Sequence, residues 1–417
     1  MSMTERAAPP GSDPPAQLPA LPLPYVEFIG LMALLICTSA LAIDIMLPSL
    51  PDIGAALGVA AASDLPLVIS SFMVGMSTGQ LFWGPLADRI GRRPALLAGL
   101  ALFAVATFAA IAASSFTLLL MARVAQGFGS AAGRIVVTAV VRDLFAGRQM
   151  ARVMSTVMTI FVIVPILAPS VGQVIILFGT WRWVFTVLLL VALIGITWAG
   201  LRMPETLAPR SAGAPRMTLA DGLGLVLGTR VTLGYAIAAG FIFGILVAYI
   251  ASAQPVFAQA YGLGKLFPVA FGAVACAVAA ASFTNSRLVQ RIGMRRLSHI
   301  ALAAHLGISG LLAIVASFVV LPFPVAFGGL AACFFLYGLI LSNFNAIAMQ
   351  PVGRAAGMAA SVIGSYTTAA GAFMGTLIAR QFDGTILPLI AGFALLSLCA
   401  LITIIVTEGP SGMFRGE

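Results

Sequence analysis

Charged side chains are scarce in this chain of 417 residues: they make up 8% of the sequence, whereas 61% of it is hydrophobic. Because a soluble domain carries about 25% charged residues, this composition excludes an ordinary soluble protein. Cysteine is also rare, and its four copies lack the close spacing of a disulfide or zinc framework. The two histidines, His299 and His305, lie six residues apart, which is the wrong spacing for two metal ligands on one helical face. We therefore expect neither a metal site nor a cofactor.

The hydrophobic residues are grouped in long runs. A helix that crosses a bilayer needs about 20 apolar residues at a rise of about 1.5 Å each. The chain contains twelve runs of that kind, which begin near residues 25, 64, 94, 116, 150, 182, 230, 266, 297, 322, 353 and 385. The sequence thus predicts an all-α integral membrane protein with twelve transmembrane helices, numbered below as spans 1 to 12.

Basic residues outnumber acidic residues, which gives a formal net charge of +9. If the spans alternate in direction from a cytoplasmic N-terminus, 17 of the 22 Lys and Arg residues fall on the cytoplasmic side. This bias is the positive-inside pattern, so it predicts that both termini lie in the cytoplasm. The basic loops are expected to contact anionic lipid headgroups. A nucleic-acid surface would need basic residues clustered on one folded face, and the sequence indicates none.

A polar stretch after span 6 divides the chain into two halves of six spans each. The loop Gly84 to Arg93 after span 2 and the loop Ser286 to Arg295 after span 8 share Leu, Arg, Ile, Gly and a final Arg at an offset of 202 residues. Many transporters are parallel duplications of six-helix units that bind substrate between the halves. The predicted organisation is a disordered cytoplasmic tail 1–24, an N-terminal bundle 25–202, a cytoplasmic linker 203–229, a C-terminal bundle 230–408 and a cytoplasmic tail 409–417.

Asp44 is the single acidic residue that the sequence places deep inside a span. A charge in hydrocarbon costs several kcal/mol, so it persists where it is paired, hydrated or used. Asp44 lies about 9 Å from the outer end of span 1, and Arg123 lies about 10 Å from the outer end of span 4, at about 1.5 Å per residue. This matched depth fits either a proton-coupling site that faces a central cavity or a static ion pair that fixes helix packing.

Span 4 carries a polar face. Four polar residues follow one another at spacings of three, four and four: Arg123, Gln126, Ser130 and Arg134. These spacings place them on one side of a helix, and a polar face inside a membrane is expected to face a cavity or another helix. We interpret Gln126 and Ser130 as substrate-binding groups. Arg134 fits a cavity-lining role and a structural role equally well.

Spans 7 and 10 carry uncharged polar and aromatic groups that could bind an amphiphilic molecule or tie helices together. They are Tyr249, Gln254, Asn343 and Asn345. With Asp44, Gln126 and Ser130, these residues complete the predicted substrate-binding set.

Several segments resemble signatures of the major facilitator superfamily. Gly84 to Arg93 resembles its loop motif G-x-L-x-D-R-x-G-R-[RK], and Arg123 to Gly127 resembles its helix-4 motif. Pro165 to Gly172 resembles the helix-5 motif of drug antiporters. The resemblance implies the fold of this superfamily, in which two six-helix bundles are related by pseudo-symmetry.

Three further segments are similar to the Bcr/CflA branch of drug/proton antiporters: Asp44 to Pro51, Val141 to Asp143 and Trp181 to Trp183. The likeness extends over nearly the whole chain, from about residue 25 to about residue 407. Members of this branch export bicyclomycin, chloramphenicol, florfenicol and similar compounds. The resemblance implies a small drug and protons as partners, and we expect a monomer in the bacterial inner membrane.

The resemblance also implies roles for the loop motif and for span 5. The conformational gate would comprise Gly84, Asp88, Arg89, Gly91, Arg92, Arg142 and Asp143. Asp88 is expected to lie near the start of span 11 and to pair with Arg92 or Arg142. In span 5, Pro165 and Pro169 each remove a backbone donor, and they form a motif with Gly172.

Together these features predict proton-coupled export of small amphiphilic drugs by alternating access, with Asp44 and Arg123 as the coupling residues. Export of an endogenous sugar, amino acid or siderophore is an alternative on the same fold. An intramembrane enzyme is a more remote alternative, because it would need a nucleophile–base pair or a metal set at one depth. The sequence shows neither of these sets.

Overall fold

A computed structural model describes residues 23–207 and 219–409 of the chain. Most of the predicted tail 1–24, part of the predicted linker 203–229 and most of the predicted tail 409–417 lie outside these residues. The described residues form helices and connecting turns, without a strand. Twelve helical segments within them are long and apolar enough to cross a membrane, which confirms the predicted number of spans.

Each spanning helix begins within three residues of the predicted position. The helices are α1 (Tyr25–Asp44), α2 (Leu67–Ile90), α3 (Arg92–Ile111), α4 (Phe116–Leu144), α5 (Gly147–Phe178), α6 (Trp181–Arg202), α7 (Arg230–Gln254), α8 (Phe267–Ile292), α9 (Met294–Ala316), α10 (Phe323–Met349), α11 (Ala356–Ala379) and α12 (Leu387–Glu408). A short helix, Leu219–Gly228, precedes α7. Because α1 begins and α12 ends on the same side of the molecule, we call that side the terminal side and the opposite side the distal side.

Two glycines end helices at equivalent places in the two halves. Gly91 ends α2 with a φ angle of 105°, and Gly293 ends α8 with a φ angle of 83°. Residues with a side chain rarely adopt such angles, so glycine permits the sharp turn into the next helix at both sites. Both are the glycine of the repeated loop motif. The duplicated sequence therefore encodes a duplicated helix end.

The helices α1 to α6 and α7 to α12 form two six-helix bundles, as predicted. Close helix pairs within each bundle depend on glycine. A Cβ atom added to Gly75 would lie 1.9 Å from the carbonyl oxygen of Val124, and one added to Gly127 would lie 1.8 Å from that of Phe72. In the second bundle, a Cβ atom added to Gly375 of α11 would lie 2.6 Å from α7. Small residues permit this approach of backbones in a membrane, where packing drives helix association.

The two bundles meet along α2 and α11 and along α5 and α8. Gln80 Nε2 donates a hydrogen bond to Thr368 Oγ1 at 3.1 Å, and Ser77 Oγ donates to the carbonyl oxygen of Ser365 at 3.0 Å. A Cβ atom added to Gly272 of α8 would lie 2.6 Å from a carbonyl oxygen of α5. These two seams bring residues of both halves together around the end of α1.

Candidate functional site

Asp44 is the last residue of α1 and is buried, with a relative exposure of 3%. The side chain of Tyr249 on α7 is close enough to interact with it electrostatically. Tyr249 is also buried, and its ring stacks on Phe271 of α8 at 5.0 Å and contacts Phe334 of α10 at 4.5 Å. A carboxyl group of the N-terminal bundle therefore faces an aromatic cluster of the C-terminal bundle.

The helix-5 motif packs against the backbone next to Asp44. A Cβ atom added to Gly172 would lie 1.9 Å from the carbonyl oxygen of Ile45. In the same helix Pro169 is buried and Pro165 is partly buried. Glycine at position 172 thus lets α5 touch the chain one residue beyond Asp44, so α5 and the end of α1 form one packed unit.

Arg123 is fully buried within the N-terminal bundle, and oxygen atoms accept hydrogen bonds from its guanidinium. Nε donates to the carbonyl oxygen of Val68 at 3.1 Å, Nη2 donates to that of Ala42 at 3.1 Å, and Nη1 donates to Gln126 Oε1 at 2.5 Å. Among the described residues, Arg123 forms no ion pair with Asp44. It is bound to the backbone of the turn that carries Asp44, so the static ion pair considered from the sequence is not formed in this conformation.

Gln126 and Ser130, which the sequence predicts to bind substrate, are bonded within the N-terminal bundle. Gln126 accepts from Arg123 and donates through Nε2 to Thr107 Oγ1 at 2.8 Å. Ser130 Oγ donates to the carbonyl oxygen of Gly127 at 2.8 Å. Both side chains are buried. Because both are buried, a ligand reaches neither in this conformation, and their predicted role requires a rearrangement.

The polar face of α4 becomes exposed in steps toward the terminal side. Arg123 is 0% exposed and Ser130 is 3% exposed, whereas Arg134, Thr138 and Arg142 are exposed. The exposed residues of this face are thus the ones that lie nearer the terminal side. The distal part of the face is closed.

An ion pair between the halves closes the distal side. Arg380 at the distal end of α11 donates through Nη2 to Asp64 Oδ1 at 2.7 Å, just before α2 begins. Both side chains are partly exposed. This contact joins the two halves at the distal side, where Asp44 is buried.

The predicted binding residues of the C-terminal bundle are distributed over different environments. Asn343 is buried and donates through Nδ2 to Asn285 Oδ1 on α8 at 2.7 Å, which ties two helices together. Asn345 is exposed, and Gln254 at the end of α7 is partly buried. Tyr249 donates to the carbonyl oxygen of Phe271 at 3.3 Å. Tyr249 thus lies beside Asp44, while Asn343 has a helix-tying contact.

The loop motif forms a compact ionic cluster at the terminal side. Arg92 is buried, and its guanidinium pairs with Asp88 Oδ1 at 2.5 Å and with Asp143 Oδ2 at 2.9 Å. The cluster joins the end of α2, the start of α3 and the end of α4. Arg89, by contrast, is exposed. Of the two partners considered for Asp88, the structure shows Arg92.

Residues of the predicted gate also approach α11 across the boundary between the halves. A Cβ atom added to Gly84 would lie 3.4 Å from Ser361 Oγ, and one added to Gly357 would lie 2.9 Å from Arg142 Nη1. The terminal part of α2 and the end of α4 therefore lie next to the first turns of α11. Relative motion of the two bundles would change these contacts.

Glu205, in the segment after α6, is a participant that the sequence did not single out. Its carboxylate accepts hydrogen bonds from the backbone N–H groups of Arg92 at 2.8 Å, Arg93 at 3.1 Å and Leu207 at 2.9 Å. Partial burial opposes the charge, but the backbone bonds outweigh it and hold the pKa of Glu205 below its usual range. Glu205 thereby caps the first turn of α3. The sequence feature that could have indicated this role is the position of Glu205 directly after an apolar span.

Comparison with known proteins is consistent with this geometry. The sequence profile of the Major Facilitator Superfamily matches residues 32–376. The chain is 32% identical over 365 residues to the "Uncharacterized MFS-type transporter YdgK" of Bacillus subtilis, which covers 84% of this chain and 87% of that protein. It is 33% identical over 371 residues to the "Bicyclomycin resistance protein homolog" of Haemophilus influenzae, which covers 88% of this chain and 91% of the relative.

Among solved structures, a D-xylose-proton symporter superposes with a TM-score of 0.71 at 16% identity, over 91% of this chain and 97% of the symporter. At that identity the likeness supports the fold alone. The profile match and the two relatives extend over most of the chain. The chain therefore belongs to the major facilitator superfamily, in its Bcr/CflA-type branch, and is a transporter rather than an enzyme.

Proposed function

We propose that the protein exports small amphiphilic drugs across the bacterial inner membrane in exchange for protons, by alternating access. The name of the Haemophilus influenzae relative concerns bicyclomycin resistance, and the motif resemblance adds chloramphenicol and florfenicol to the substrate class. The observation that carries the proposal is the position of Asp44: this acidic residue is 3% exposed and within electrostatic range of Tyr249 in the other bundle.

Asp44 would be the proton site. A carboxyl buried between the halves is stable when neutral and can ionise when one half moves away and water enters. Substrate would enter from the terminal side while Asp44 is deprotonated, and protonation from the distal side would release it. Arg123 would position the turn that carries Asp44 through its bond to the carbonyl oxygen of Ala42.

The terminal side would be the cytoplasmic side. The order of the basic residues along the sequence supports this orientation, because 17 of the 22 Lys and Arg residues belong to segments that alternation of the spans assigns to the side of the N-terminus. Both termini would then be cytoplasmic. We propose a monomer as the functional unit, as the family resemblance implies.

Everted membrane vesicles test the coupling role of Asp44. With a pH gradient as the sole energy source, the wild-type protein is expected to accumulate chloramphenicol against its gradient. Asp44→Asn should abolish this accumulation, because the amide cannot exchange a proton, and should retain downhill exchange of labelled drug. Asp52→Asn, which changes an exposed acid near the distal side, should behave like the wild type. Uphill accumulation by Asp44→Asn at the wild-type level would refute the assignment.

A further inference from the structure

Arg134 lies deep in the molecule and yet is exposed. It is ten residues from the terminal end of α4, which corresponds to about 15 Å of helix. Its neighbours in sequence define where it points. A Cβ atom added to Gly133 would lie 2.6 Å from the carbonyl oxygen of Leu35 on α1, while the side chain of Ile135 lies beside Gly84 of α2. Arg134 therefore points between α1 and α2, toward the C-terminal bundle.

Tyr337 of α10, in the other half, lies within electrostatic range of Arg134. Tyr337 is 4% exposed, and its hydroxyl has no hydrogen-bond partner among the described residues. Because a buried hydroxyl without a partner is unfavourable, this group is available to a ligand that supplies an acceptor.

Arg134 is not neutralised by a carboxylate of the described chain. The ion pairs among the described residues involve cations other than Arg134. Asp44, the acid of the proposed proton site, is buried nearer the distal side. The exposed residues that continue the face toward the terminal side are Thr138 and Arg142. A molecule that enters from that side thus meets positive charge and hydrogen-bond donors.

We propose that Arg134 and Tyr337 form a subsite that binds a hydrogen-bond acceptor group of the substrate, such as a carboxylate, nitro or carbonyl group, and so selects anionic and neutral amphiphiles over cations. A guanidinium presents five N–H donors and no acceptor. It binds oxygen acceptors in charge-assisted hydrogen bonds and repels a cation. Tyr337 would donate its free hydroxyl to the same group. The proposal rests on the proposed export of amphiphilic drugs and specifies their chemistry.

Equilibrium binding to the purified full-length protein in lipid nanodiscs tests the subsite. Fluorescein and rhodamine 123 share a xanthene ring system and carry opposite charges, so fluorescence anisotropy can compare them as matched probes. The wild type should bind fluorescein more tightly. Arg134→Gln should weaken fluorescein binding about tenfold or more, since hydrogen bonds to charged groups contribute about 1.5–3 kcal/mol. Binding of rhodamine 123 should stay equal or improve.

Three further variants separate recognition from packing. Arg134→Lys should give an intermediate affinity for fluorescein, because it keeps the charge and loses the planar fork. Tyr337→Phe should weaken fluorescein binding by a smaller factor than Arg134→Gln does. Because it keeps the aromatic ring, it also tests the subsite if Arg134→Gln fails to fold. Arg296→Gln, which removes an exposed arginine of α9, is the matched control and should bind both probes as the wild type does.

Equal affinity of the wild type for the two probes would overturn the proposal, as would an equal loss of both in Arg134→Gln. Neither measurement uses a proton gradient. A protein with the expected Arg134 dependence but without pH-driven accumulation would refute proton coupling and retain the subsite. The reverse result would refute the subsite and retain proton coupling.

Discussion

The packing of α2 against α4 leaves room only for glycine at positions 75 and 127. A Cβ atom at either position would lie less than 2 Å from a carbonyl oxygen of the other helix. Since these helices carry Arg123 on one side and the seam with α11 on the other, their separation sets the frame of the candidate site. Gly75 and Gly127 thus help to set the geometry of the site, although neither is one of its predicted ligand-binding residues.

Gly127→Ala is expected to destabilise the protein by about 1–3 kcal/mol, because the added methyl group forces α2 and α4 apart. Gly307→Ala is the matched control: an added Cβ atom at Gly307 of α9 meets nothing within 4 Å, and alanine favours a helix more than glycine does. Thermal unfolding in detergent should show a lower midpoint for Gly127→Ala and an unchanged or higher midpoint for Gly307→Ala. Equal midpoints for both variants would contradict this account.

At the residue scale, the sequence could indicate which polar side chains lie deep in the membrane but not which atoms bind them. The depth of Asp44 and Arg123 follows from their positions in apolar runs. The acceptors of Arg123 do not, because two of them are backbone carbonyl oxygens, of Ala42 and Val68. Every residue has such an oxygen, so no residue type marks it.

At the element scale, helix starts were predictable because each span is a separate apolar run, whereas contacts of the connecting segments were not. Glu205 lies in the predicted linker, and its bonds to the N–H groups of Arg92 and Arg93 stabilise the first turn of α3. The C-terminal bundle has a related contact, in which Glu408 at the end of α12 lies 3.4 Å from Arg295 near the start of α9. In each bundle an acid at or just beyond the end of the sixth helix thus contacts the start of the third helix.

The cap on α3 makes a pH prediction at this scale. The pKa of Glu205 is lower in the folded protein than in the unfolded chain, so its contribution to stability is present above about pH 4.3, the ordinary glutamate value. That contribution is lost as the pH falls through the folded pKa. Glu205→Gln should lower the unfolding midpoint at pH 7, and the difference from the wild type should shrink below about pH 4.

Asp52→Asn serves as the control for this series, because Asp52 is an exposed acid at the distal side, opposite the first turn of α3. Its unfolding midpoint should follow that of the wild type at every pH. A constant difference between the wild type and Glu205→Gln from pH 7 to about pH 3 would show that the charge of Glu205 does not carry the effect. The side chain would then act through shape alone.

At the scale of the whole molecule, the repeated loop motif was enough to predict two bundles, but not which side of the site is closed. That choice depends on pairs of residues far apart in sequence, such as Asp64 and Arg380. Each of them is an ordinary charged residue at a helix end. Their pairing follows from how the halves are tilted, and a rigid tilt leaves no periodic pattern in the sequence.

The contact between Asp64 and Arg380 makes the last prediction. If transport alternates access, the distal ends of α2 and α11 must separate in each cycle. Asp64→Cys with Arg380→Cys, made in a variant whose exposed Cys276 is replaced by serine, should be bridged by a short bis-methanethiosulfonate reagent. The bridge should stop drug transport in vesicles, and dithiothreitol should restore it because it reduces the mixed disulfides. Each single-cysteine variant should keep its activity under the same treatment. Transport at the uncrosslinked rate by the bridged protein would show that the distal ends do not part, and the closed side would then be a fixed wall instead of a gate.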